Sequence, residues 1–164
     1  MIPSFVGLKR PSISEAVIKI RTFCNYRDRC HKEVRDKLYA MGLFKKEVDQ
    51  VLMQMIDEDL LNEERFARSF ARGYFRTKQW GRYKIKRELQ QRQIHARLID
   101  TAMTEIDEEE YQATVRRLIE KKLKTTEGKP LERKQKVSDY LMRKGYTYAE
   151  FKSALEEKGK CEAP

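Results

Sequence analysis

The stretch VRDKLYAMGLFKKEVDQVL (Val34–Leu52) sets two apolar residues four apart, Val34 and Leu38, passes through Gly42 and Leu43, and resumes the beat at Val48 and Leu52. Apolar residues four apart lie one above the other on a helix, so each half marks a buried stripe. A glycine just past the first stripe supplies a left-handed cap without steric cost. The segment reads as helix, short turn, helix. Its pattern returns twice at identical offsets, as Ile85, Leu89, Gln93, Ile94, Ile99 and Met103 and as Val137, Leu141, Gly145, Tyr146, Phe151 and Leu155. The intervals are 51 and 52 residues, within the range of helical repeat arrays. In the middle copy Gln93 stands where the others have glycine. A side chain held at positive φ costs about 1 kcal/mol, so that turn is expected to close differently.

A further helix precedes each pair. The clearest covers residues 62–77, with Asn62 as N-cap and Glu63 and Glu64 in the positively polarised first turn. Phe66, Phe70 and Tyr74 recur every four residues along it, as a core stripe rather than a base-stacking platform. Asp107 and Glu108–Glu110 open the matching helix of the third copy, and Thr147 with Glu150 has capping-box spacing before the last. Acids at these places serve helix starts, not metal. Four prolines, seven glycines and no useful alternating pattern leave little room for strands. The expected fold is all-α, an elongated tandem array of three three-helix repeats, helix–turn–helix-like, without a sheet. Residues 13–60, 61–106 and 107–158 form the repeats, between tails at 1–12 and 159–164.

Of the 164 residues, 38% are charged, more than a single globule with a large core accommodates, and the net charge is +10. Such a balance favours an anionic partner, nucleic acid first. No apolar run approaches transmembrane length and the opening residues lack a signal-peptide core, so no membrane partner is expected. Cys24, Cys30 and Cys161 are an odd set without framework spacing, which fits a reducing cytoplasm. Cys24, Cys30 and His31 lack the second ligand pair of a zinc site; no metal or other cofactor is expected.

The charge is gathered unevenly. Residues 61–106 carry 11 basic and 5 acidic side chains, against 9 and 9 in residues 13–60 and 13 and 11 in residues 107–158. Within the middle repeat Arg65, Arg68, Arg72 and Arg76 share a helix face with no acidic residue at i+4, an arrangement that weakens a helix slightly. TKQWG (Thr77–Gly81) ends that helix. Gly81 can cap the next and permit close backbone approach, leaving the N–H groups at the start of the Arg82 helix facing a basic turn. Lys78, Trp80, Arg82 and Lys84 are expected to converge there, continued by Lys86 and Arg87, as a surface for phosphate, a nucleic-acid backbone or an acidic protein.

LNEERFA (Leu61–Ala67), WGRYKIKREL (Trp80–Leu89), RCHKEVRDKLYAMG (Arg29–Gly42) and YLMRKGY (Tyr140–Tyr146) together resemble the RecX family of bacterial RecA regulators, over residues 13–157. Arg82 departs from the proline common in that family, Gln93 from its glycine, and Cys30 from its hydroxyl N-cap. The resemblance implies a non-enzymatic, cytoplasmic, monomeric protein acting in DNA repair and recombination, including the SOS response. It would bind the RecA–DNA filament and single- or double-stranded DNA, block filament growth or promote disassembly, and depress strand exchange and ATP hydrolysis. The alternative is a helix–turn–helix transcription factor acting without RecA, reading DNA through residues 95–106. That segment offers only His95 and Arg97 as base-reading side chains, fewer than a major-groove reader shows. An enzyme is the weakest reading: no glycine-rich phosphate loop, zinc-protease motif or nucleophile–base pair occurs.

Overall fold

Helix ends are written locally. Ser12 accepts the Glu15 N–H at 3.2 Å while the Glu15 carboxylate accepts the Ser12 N–H at 3.0 Å, and this reciprocal cap opens α1 (Ile13–Tyr26). The computed structural model describes residues 9–161; the outer parts of both expected tails, 1–8 and 162–164, lie outside them. α2 (His31–Ala40) and α3 (Lys45–Asp57) follow, then α4 (Glu63–Lys78), α5 (Arg82–Gln91) and α6 (Ala96–Met103). α7 (Glu108–Thr125), α8 (Pro130–Lys144) and α9 (Tyr148–Cys161) complete three successive groups of three, with no strand among the described residues. Asn62 Oδ1 accepts the Arg65 N–H at 2.9 Å and Asp107 accepts the Glu110 N–H at 3.0 Å, both caps as expected.

The three turns inside the repeats close in one way. Leu43, Ile94 and Tyr146 donate their N–H to the carbonyls of Leu38, Leu89 and Leu141, at 3.3, 3.2 and 3.1 Å. The residue before each sits at positive φ: 89° at Gly42, 60° at Gln93 and 98° at Gly145. Here the expectation for Gln93 is corrected. Its side chain does not alter the turn, because six-to-one capping and burial of the following apolar residue outweigh a left-handed penalty of about 1 kcal/mol.

The chain divides into two units, with the division between Phe66 and Ala67, inside α4. In the first, α1, α2 and α3 pack on one another around Ala16, Ile20, Val34, Leu38, Val48, Val51 and Met55, none of which reaches solvent. Cys24 and Cys30 are free thiols buried there, and burial pushes both thiol pKa values up. In the second unit α5 packs on α6, and α7, α8 and α9 pack on one another. Ile85, Leu89, Tyr111, Ile119, Leu141, Tyr146 and Phe151 are among its fully enclosed side chains, so the four-residue stripes of the repeat contribute to its core. Phe66 and Phe70 of the aromatic stripe are likewise buried.

Candidate nucleic-acid interface

Three arginines of α4, Arg65, Arg68 and Arg72, meet carboxylates that lie outside that helix. Arg65, in the first unit, donates to Asp28 at 2.9 Å, to the Asp59 carboxylate at 3.2 Å and to the Asp59 carbonyl at 2.9 Å. That clasp ties the start of α4 to the loops beside it. In the second unit one carboxylate, Glu105, accepts from Arg68 at 2.7 Å and from Arg72 at 2.9 Å. The hydrogen bond from Arg68, then the charge of Arg72, holds the Glu105 carboxyl below its ordinary pKa. Both guanidiniums remain over a third exposed. A surface pair of this kind contributes at most about 1 kcal/mol, so a polyanion could take them over cheaply.

The turn after α4 holds further internal contacts. Trp80 stacks on Tyr74 with centroids 4.5 Å apart, and the Lys84 ammonium lies 4.4 Å from the Trp80 ring centre, a cation–π placement. Gly81 is the N-cap of α5. The N–H groups expected to face an anion are occupied: Gly81 donates to the Lys144 carbonyl at 2.8 Å, Tyr83 to the Gly145 carbonyl at 3.1 Å and Arg82 to the Tyr111 hydroxyl at 3.1 Å. The expectation of an open helix start is therefore corrected. The close approach that Gly81 permits is to the third repeat, where any Cβ on Gly81 would overlap the Gly145 carbonyl.

Around this joint a polar set is satisfied internally. Tyr111 donates to Glu150 at 3.1 Å, Tyr146 to the Gln79 carbonyl at 2.8 Å and Lys144 to the Lys78 carbonyl at 2.9 Å. Glu150 also accepts the Thr147 N–H at 2.8 Å. Arg82 lies over the Tyr111 ring at 4.0 Å and pairs with Glu108 at 2.7 Å. Burial raises the pKa of the Tyr111 and Tyr146 hydroxyls, which keeps both neutral donors.

Four of the nine expected cations, Arg65, Arg68, Arg72 and Arg82, thus meet carboxylates, whereas Arg76, Lys78, Lys84, Lys86 and Arg87 form no ion pair with a described residue. Arg76, Lys78, Lys86 and Arg87 are exposed, and Lys84 is half-buried on Trp80. Sequence reasoning missed Glu105, Tyr111 and Lys144. Of these only Lys144 has a linear signal, its place in the third repeat's turn, KGY (Lys144–Tyr146). On α6, His95 Nδ1 caps the helix by accepting the Arg97 N–H at 3.2 Å, which leaves Arg97 as the lone base-reading candidate there.

Two family models match: "RecX, second three-helix domain" over residues 62–103 and "RecX, third three-helix domain" over residues 108–155, together more than half of the chain. A regulatory protein RecX from Streptomyces lividans is 27% identical over 136 residues, covering 80% of this chain and 72% of its own length. One from Halalkalibacterium halodurans is 32% identical over 126 residues, covering 76% of this chain but only 47% of its own, so this chain spans about half of that relative. A crystal structure of regulatory protein RecX superimposes with a TM-score of 0.81 at 21% identity, over 88% of this chain and 73% of the other; it bears on the fold alone.

Proposed function

The chain belongs to the RecX family, and from that premise we propose that it is a non-enzymatic regulator which binds RecA–DNA filaments and restrains RecA by blocking filament growth or promoting disassembly. The regulator class rests on relatives that are regulatory proteins. The observation that carries the finer reading is the cation set left unneutralised by described residues on the end of α4 and on α5: Arg76, Lys78, Lys84, Lys86 and Arg87. Phosphate contacts of this kind give affinity without sequence preference, which suits a ligand that is a nucleoprotein fibre rather than one operator sequence. No helix among the described residues is long and apolar enough to cross a membrane; the proposed setting is the cytoplasm, where RecA and DNA meet, with the protein acting as a monomer and without a cofactor.

The test is RecA ATP hydrolysis on single-stranded DNA, titrated with this protein at two salt concentrations. Hydrolysis is expected to fall with added protein and to need more of it at the higher salt. Hydrolysis that stays constant up to saturating protein rejects the proposal.

A further inference from the structure

The second unit carries a groove that the charge count did not assign. Between α5 and the end of α8, Tyr83, Lys84, Arg87, Met142 and Arg143 line a concavity of about 430 Å³. Its acid, Glu88, is held by Arg92 at 2.8 Å. Arg87 and Arg143 are exposed and meet no carboxylate among the described residues. Tyr83 and Met142 stand 60% and 55% exposed, a flat ring and a pliable thioether left in water at the groove's edge. Close by, the Lys144 ammonium is lowered in pKa first by burial and then by the charges of Lys84 and Lys121, so like charges from α5, α7 and α8 crowd one place. Arg143 also lines a second groove of about 420 Å³, together with Lys122, Thr125, Lys136 and the acids Glu127 and Asp139.

We propose that the α5–α8 groove seats a single nucleic-acid strand, with phosphates on Lys84, Arg87 and Arg143 and a base stacked on Tyr83. The inference rests on the filament reading and adds to it a strand type and residues of the third repeat. A single strand is favoured because the groove offers a ring face beside cations. A duplex hides its base faces and presents only phosphates and groove edges, whereas an unpaired strand has bases free to stack. The like-charge crowding argues for a polyanion, since binding one would relieve repulsion that the fold otherwise tolerates.

Fluorescence anisotropy with a labelled oligothymidylate, and with a duplex of equal length, provides the test. Arg87→Gln combined with Arg143→Gln should weaken strand binding about tenfold and flatten the log–log salt slope by about 1.4, two phosphates' worth. Tyr83→Ala should weaken it at least about fivefold with the slope unchanged. Lys46→Gln combined with Lys152→Gln, an equal charge loss at exposed positions on α3 and α9, should change it less than about twofold. All five substituted groove and control sites are exposed, and matching urea midpoints would verify that the variants fold. Groove variants that behave like the control pair, a silent Tyr83, or tighter binding to the duplex would each overturn the assignment. The RecA assay separates the two claims. Strand binding that depends on the groove without any effect on hydrolysis would overturn filament regulation and uphold the groove. Depressed hydrolysis with strand affinity indifferent to the groove would overturn the groove alone.

Discussion

Gln93 shows how a single residue can carry a cost that the fold overrides. It sits at φ 60° with the hydrogen bonds that Gly42 and Gly145 make, so the turn is imposed by its neighbours rather than by Gln93 itself. Replacing it with glycine should remove a left-handed penalty and add unfolded-state entropy, for a net gain of about 0.5–1 kcal/mol in urea unfolding. Gly81→Ala should do the reverse, and by more. Its Cβ would run into the Gly145 carbonyl, which is backbone and cannot rotate away, so a loss of at least about 2 kcal/mol is expected. A neutral Gly81→Ala would mean that the joint between α5 and the Gly145 turn is not close-packed.

At the scale of elements, the repeat was legible because it is written in local spacing. Val34 and Leu38 predict a stripe, Gly42 predicts where it ends, and recurrence 51 and 52 residues later confirms the unit. Caps at Asn62 and Asp107 were legible for the same reason. The candidate interface was only half legible. Which helix is basic can be counted along the chain, but which arginine meets a carboxylate cannot. Arg68 and Arg72 reach Glu105 across 37 and 33 residues, and the start of α5 is closed by Tyr111, Lys144 and Gly145. No periodicity encodes such partners; they follow from how the helices pack.

Glu105 makes that distinction measurable. Because its folded pKa is lowered, its contribution to stability is complete above the ordinary glutamate value of about 4.3 and is lost as pH falls through the lower folded value. Glu105→Gln should therefore destabilise the protein at pH 7 by no more than about 1 kcal/mol, with the difference shrinking below about pH 4. It should also remove the hold of Glu105 on Arg68 and Arg72, tightening polyanion binding and steepening its salt dependence. Urea melts at two pH values and anisotropy across a salt series would check both effects. A variant that binds no better would show that these two arginines take no part in the interface.

At the scale of the whole molecule, most of the excess charge lies in the middle repeat, and the cations of that expected set that meet no described carboxylate lie on the end of α4 and on α5. Four exposed members of that set, Arg76, Lys78, Lys86 and Arg87, are on the surface and can be replaced without touching the core. The most direct measurement compares the affinity of the wild-type protein and an Arg76→Gln, Lys78→Gln, Lys86→Gln, Arg87→Gln variant for RecA–DNA filaments and for the same bare strand, across salt. The account predicts that filaments are preferred by the wild type, and that the variant binds both ligands more weakly with a slope flatter by up to about 3. Equal affinity of the wild type for filament and bare strand, or a variant whose affinity and slope match the wild type, would contradict it.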